Sequence, residues 1–199
     1  ARTGQPDIIC VGFQEIVDLN AVNVAVDNKT QQKTQFWSEK IHQTVNHAVS
    51  KVSQNPARDG YTLIMQRSMV GLLVSVFVKN VHKPRTKYVS SASVGVGVMG
   101  MMGNKGGVSV RLQFYDSTLC FVCTHLAAHR ENVTGRNADF ANVYSKTSFE
   151  VGEEAIREVI RSGSLSHWAI GSSATAVADH DIVVWLGDLN YRIDESMPT

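Results

Sequence analysis

The stretch from Tyr61 to Thr124 limits the fold most sharply, because strand-like runs follow one another through it with no helix-length gap between them. The runs are Tyr61 to Met65, Val70 to Val78, a third near Lys87 to Val98, then Gly107 to Phe114 and Leu119 to Thr124. In the fourth, Val108, Val110, Leu112 and Phe114 alternate with Ser109, Arg111 and Gln113, the period of a strand with two unlike faces. Tyr115-Asp116-Ser117-Thr118 reads as a hairpin turn. Strands joined by short turns pair antiparallel, and a regular alternation of strand and helix is absent. Helices are expected on either side. From Thr34 to about Val52, Trp37, Ile41, Val45, Ala48, Val49 and Val52 recur at three- and four-residue steps until Asn55-Pro56 stops them. Further helices are expected from about Glu131 to Phe149 and near Glu153 to Ile160. Short apolar runs at Asp7 to Val11 and Asp181 to Leu186 read as buried strands, and Ser162 to Ala178 as a surface loop. The expected class is α/β of the α+β kind, with mixed, largely antiparallel sheets and outer helices.

With 199 residues and 43% hydrophobic composition, residues 1–199 form one domain or a large piece of one. Nineteen Lys+Arg against eighteen Asp+Glu leave a net charge of +1, so any anion binding must come from a local cluster. The longest apolar run, Met69 to Val78, is about half of the roughly twenty residues a membrane-spanning helix needs. Cys10, Cys120 and Cys123 all fall in apolar strand-like runs, which suits reduced, buried thiols and a cytoplasmic protein. Cys120-Phe-Val-Cys123 has the C-x-x-C spacing, but residues three apart on a strand point to opposite faces and no second pair completes a zinc site.

Four segments put titratable or glycine residues at strand ends: Gly12-Phe13-Gln14-Glu15, Gly100 to Gly107, Thr124 to Arg130, and Gly187-Asp188-Leu189-Asn190. Glu15 alone is equally a solvated loop carboxylate. Asp188 and Asn190, two apart on leaving a strand, suit either an Asx-type turn or a site where an acid orients water and an amide holds a phosphate oxygen. His125 and His129 are four apart, the spacing of one helical turn, and either could be structural. Gly95-Val-Gly97-Val-Met-Gly100 has the G-x-G-x-x-G form, yet Gly103, Gly106 and Gly107 argue against the helix that motif must open. What remains is a loop that lets backbone N–H groups and Lys105 approach an anion, or a tight glycine hairpin with a solvated lysine.

In order along the chain, Pro6-Asp7-Ile8 through Phe13-Gln14-Glu15-Ile16-Val17, Met102-Gly103-Asn104-Lys105-Gly106-Gly107, Thr124-His125-Leu126-Ala127-Ala128-His129 and Trp185-Leu186-Gly187-Asp188-Leu189-Asn190-Tyr191-Arg192-Ile193 resemble the motifs of the inositol polyphosphate 5-phosphatases. The wording is nearer to the animal type II, Lowe syndrome phosphatase-like enzymes than to synaptojanin. The resemblance implies a deoxyribonuclease I-like sandwich of two sheets, a Mg²⁺ cofactor and hydrolysis of the 5-phosphate of phosphoinositides or soluble inositol polyphosphates. By residue, it implies a metal-binding role for Glu15, catalytic roles for Asp188, Asn190 and His125, and phosphate contacts from Asn104 and Lys105, with His129 and Arg136 assisting. Its partners are then a lipid headgroup or a soluble inositol polyphosphate, with peripheral attachment to a membrane and no nucleic acid. Met99, Met101 and Met102 would touch acyl chains or lie buried under the loop.

The family's T-W-N segment, its P-x-W-x-D-R-I-L motif and its S-D-H-x-P histidine have no counterpart here. The expectation is therefore a chain holding the first two thirds of the domain, inactive and poorly soluble by itself. Two other readings share the segments: a Mg²⁺-dependent nuclease of the same fold, weakened by the near-neutral charge, and an inactive module that binds phosphoinositides.

Overall fold

The computed structural model describes residues 4–17, 28–69, 71–96, 105–150, 152, 157, 161 and 174–192. Nine strands are assigned among them: β1 (Ile8–Phe13), β2 (Tyr61–Met69), β3 (Leu72–Lys79), β4 (Thr86–Gly95), β5 (Gly106–Phe114), β6 (Ser117–His125), β7 (Ser148–Glu150), β8 (Ala174–Ala176) and β9 (Ile182–Asp188). The helices are α1 (Asn28–Ser50), the one-turn α2 (Pro56–Asp59) and α3 (Val133–Lys146), with 3-10 turns at Asn80–Arg85 and Val177–Asp179.

One sheet has the order β1-β3-β2 and the other β4-β5-β6-β9, while β7 pairs with β8. Every pairing is antiparallel except that of β6 with β9. The alternation read in β5 decides the packing. Val108, Val110 and Leu112, with Phe121 and Cys123 of β6, meet Leu72, Val74 and Val76 of β3 in a core between the two sheets. The opposite face of the second sheet packs Cys120 and Val122 against Val143 of α3, Phe149 and Val177. On the outer face of the first sheet, Val49 of α1 joins Tyr61 and Phe77. The order of layers is helix, sheet, sheet, helix.

Three expectations change in detail. α1 begins at Asn28, and its apolar stripe holds only in its second half, where Ile41, Val45 and Val49 reach the sheet. In its first half the buried positions are Thr30, Thr34 and Ser38, spaced by four, and Val52 lies beyond the helix, 73% exposed. The helix expected to reach Phe149 stops at Lys146, where the Thr147 hydroxyl and N–H both donate to the Val143 carbonyl, and Phe149 becomes a buried strand residue. The expected surface loop contains β8 at its end. Most of the helix expected near Glu153 to Ile160 lies outside the described residues. Among those that are described, no helix is long and apolar enough to cross a membrane. The three cysteines are free.

Candidate active site

Strand β1, the start of β5 and the parallel pair β6–β9 converge at one end of the sandwich. The register sets His125 beside Gly106 on one side and Asp188 on the other. Gly187 sits at φ 121°, and a Cβ there would stand 2.1 Å from the Thr124 carbonyl oxygen, so only glycine lets β9 press this close to β6. At the end of β1, Gln14 Nε2 donates to Cys123 Sγ at 3.2 Å and the Ile16 N–H to the Gly71 carbonyl at 3.1 Å. The residue between them, Glu15, takes φ 56° and turns its carboxylate outward, 65% exposed.

His125 is the hub. Its buried Nε2 lies 3.5 Å from Asp188 Oδ2 and 3.7 Å from Glu15 Oε1, and it takes a hydrogen bond from the Lys105 ammonium. A ring nitrogen that accepts from an ammonium carries no proton, so the imidazole is neutral with its hydrogen on Nδ1. Burial and then Lys105 hold the His125 pKa below its ordinary value, against the pull of Asp188 and Glu15. Burial also lowers that of Lys105, opposed by Asp188, Glu15 and Asp139.

Asp188 and Asn190 do meet, through a turn and not through strand alternation. Asn190 stands at φ 53° and its N–H donates to Asp188 Oδ1 at 2.9 Å. Its Nδ2 donates to the Leu126 carbonyl at 2.9 Å and to Asp188 Oδ2 at 3.2 Å. The Asx-type turn is present, and it fixes the carboxylate that faces His125.

The remaining expected site residues fall differently. His125 ends β6 and His129 is exposed in the following loop at φ 77°, so the two do not share a helical face. Arg136 is buried at 1% exposure. Its Nη1 donates to the carbonyls of Ala127 and His129 and its Nη2 to that of Arg130 at 2.9 Å, while its guanidinium lies 5.1 Å from the Tyr191 ring centroid. The structure gives Arg136 the task of holding the loop after His125. Asn104 and the three loop methionines lie outside the described residues. Asp139, which the sequence reading passed over, accepts from the Ala127 N–H at 2.8 Å and acts electrostatically on Lys105. Its signal was present as a carboxylate one helical turn after Arg136.

Among the described residues no group of three or more His, Cys, Asp or Glu forms a ready metal cage. Mg²⁺ does not need one, since it keeps several waters and binds through one or two carboxylates and substrate phosphates. Glu15 and the 47% exposed Asp188 offer such hard oxygens at a single nitrogen, so the donor set fits that ion.

Two largely antiparallel sheets packed face to face, with helices outside and this charged site on the strand-end loops, define a deoxyribonuclease I-like protein. The chain belongs to endonuclease/exonuclease/phosphatase family 2, whose model matches residues 1–199. It is similar to human synaptojanin-1, 34% identical over 194 residues that cover 97% of this chain and 10% of that protein. Type IV inositol polyphosphate 5-phosphatase 9 of Arabidopsis thaliana is 35% identical over 94% of the chain and 43% of its own length. Mouse type II inositol 1,4,5-trisphosphate 5-phosphatase is 32% identical over 96% and 16%. These values do not set the type II enzymes nearer than synaptojanin. Among solved structures, the inositol polyphosphate 5-phosphatase domain of Spsynaptojanin, in complex with inositol (1,4)-bisphosphate and calcium ion, superposes with a TM-score of 0.70 at 28% identity. It covers 97% of this chain and 46% of that one, so the chain spans less than half of the relatives and the solved domain it matches.

Proposed function

We propose that this chain carries the nucleophile and phosphate-binding side of a Mg²⁺-dependent phosphatase site that removes the 5-phosphate from phosphoinositides or soluble inositol polyphosphates. The observation that supports it most is the meeting of Lys105, Asp188 and Glu15 at the single nitrogen of His125. An ammonium and an imidazole suit a phosphoryl group, and two carboxylates beside them suit a metal and a water.

In this reading Glu15 holds the metal. When bound, Mg²⁺ neutralises phosphate charge and stabilises the leaving oxygen. Asp188, held by the Asn190 N–H, orients the attacking water and takes up its proton. Asn190 frees one N–H for the phosphate by releasing its longer bond, that to Asp188 Oδ2. Lys105 and Asn104 meet substrate phosphates and His125 lies beside the scissile one. His129 assists at the rim, while Arg136 acts through the loop it grips. A cytoplasmic protein working at a membrane face agrees with three free thiols.

The test measures phosphate release by the full-length protein with Mg²⁺, offered phosphatidylinositol 4,5-bisphosphate vesicles, inositol 1,4,5-trisphosphate and plasmid DNA in parallel. Release from an inositol substrate that Asp188→Ala abolishes is the expected result. Nicked plasmid without inositol turnover would move the protein to the nucleases, and silence on all three would leave a binding module.

A further inference from the structure

The end of the sandwich opposite this site carries a second set of polar side chains that phosphate hydrolysis does not use. Asp7 precedes β1, His82 lies in the 3-10 turn between β3 and β4, and Tyr115 lies in the turn between β5 and β6. His82 Nε2 is 3.0 Å from Asp7 Oδ1, and His82 Nδ1 is 2.8 Å from the Tyr115 hydroxyl. A carboxylate only accepts hydrogen bonds, so Nε2 carries the ring hydrogen. In the neutral ring Nδ1 is then a bare acceptor, and the phenol must donate to it. Carboxylate, imidazole and hydroxyl thus stand in the order that activates a hydroxyl nucleophile.

The three are held in place from several sides. The His82 ring packs edge-on to Phe114 and Tyr115 at 5.5 and 5.7 Å between centroids. The Tyr115 N–H donates to the Arg85 carbonyl at 2.9 Å, and the Lys79 N–H to the Asp7 carbonyl at 2.9 Å. Tyr115 takes φ 55° in its turn and remains 43% exposed.

We infer that Tyr115 is an activated surface nucleophile, a modification site for electrophilic acyl donors. The phenolic oxygen attacks the acyl carbon, an O–C bond forms and the bond from that carbon to its leaving group breaks. The phenolic proton passes to His82 Nδ1, giving an imidazolium that Asp7 stabilises, and then to the leaving group. The product is a tyrosyl ester, with no change of oxidation state.

The chain supplies its own standards. Tyr144 and Tyr191 are 42% and 50% exposed; Tyr144 stacks on Phe140 and the Tyr191 hydroxyl donates to Asn137, and among the described residues neither hydroxyl is hydrogen-bonded to a histidine. Tyr61 is buried and reports unfolding. The full chain is treated with N-acetylimidazole at pH 8 and the acetylation rate of each tyrosine is read by peptide mass spectrometry. Tyr115 is expected to react about tenfold faster than Tyr144 and Tyr191. His82→Phe, which keeps the ring packing, should bring it down to their rate. Asp7→Ala should do likewise, because no carboxylate then holds the ring hydrogen on Nε2 or stabilises the imidazolium. Equal rates for the three exposed tyrosines in the unaltered chain overturn the inference, as does an undiminished Tyr115 rate in His82→Phe with Tyr61 still protected. If Tyr61 becomes reactive in that variant, the rate in Asp7→Ala decides by the same criterion.

Discussion

Gly187 shows how much of the candidate site depends on a missing side chain. Its φ of 121° and the 2.1 Å approach to Thr124 leave no room for a Cβ, so Gly187→Ala should cost roughly 2 kcal/mol or more and move Asp188 off His125. Chemical denaturation reads the first effect and loss of phosphate release the second; a neutral substitution would mean that β9 does not press on β6 as described. Arg136 makes a different demand. Arg136→Met keeps the length of the side chain but takes the guanidinium donors from three carbonyls, of which that of His129 keeps the Asn132 N–H, and a loss of about 2–4 kcal/mol is expected. Because Arg136 and Asp139 supply the side-chain hydrogen bonds to the loop of residues 127–130, proteolysis there should quicken as stability falls. Residue identities were legible in sequence wherever a motif fixed them, as for Glu15, His125, Lys105 and Asp188. The job of Arg136 was not, because its partners are backbone carbonyls, which no sequence pattern displays. The left-handed turns at Glu15, His129 and Asn190 were equally hidden, since none of them is glycine.

At the scale of elements, the site depends on β6 and β9 lying side by side although 56 residues separate the end of β6 from the start of β9. The strands themselves were readable from their alternation and from the turn residues between them. Their parallel pairing was not, because it joins elements distant in sequence, and it alone sets His125 opposite Asp188. A second link across the same sheet gives a pH prediction. Arg111 Nε in β5 donates to His180 Nε2 at 3.0 Å, and His180 Nδ1 faces the Val177 carbonyl at 3.2 Å, an arrangement that requires a neutral ring. Burial holds the His180 pKa below its ordinary value, with Arg111 adding to the effect and the Val177 bond opposing it. The folded chain therefore binds this proton less tightly than the unfolded chain. Its contribution is fully present above about pH 6.5, the unfolded value, and is lost as pH falls through the folded one. Urea midpoints should drop between pH 7.5 and 5, and less so in His180→Gln, whose carbonyl still accepts from Arg111. The strands also shield their thiols: burial pushes Cys10 and Cys120 up to about 12 and Cys123 to about 11. A disulfide reagent at pH 8 should find no reactive thiol in the native chain and three in urea.

For the molecule as a whole, the two sheets put the His125 cluster at one end and the Asp7–His82–Tyr115 relay at the other, and they also leave an edge. Among the described residues β9 pairs only with β6, and along it Ile182, Val183 and Val184 are 48%, 41% and 40% exposed. Partners of Val183 and of Val184 in β6 point to opposite faces of the sheet, Cys120 toward α3 and Phe121 toward the core between the sheets, so the strand offers apolar surface on both sides as well as unpaired backbone groups. Such an edge is a template for another strand. The expectation of poor solubility that came from motifs alone thus gains a physical location. The 199-residue chain should self-associate with rising concentration in the micromolar range, and Ile182→Lys with Val183→Lys should suppress this. The melting temperature should hardly change, because both side chains are already nearly half in water. Sedimentation velocity across a dilution series separates the cases: a chain that stays monomeric before substitution shows that the edge is harmless. Association that survives the two lysines places the sticky surface elsewhere, with the exposed Phe36 and Trp37 of α1 as the next surface to alter.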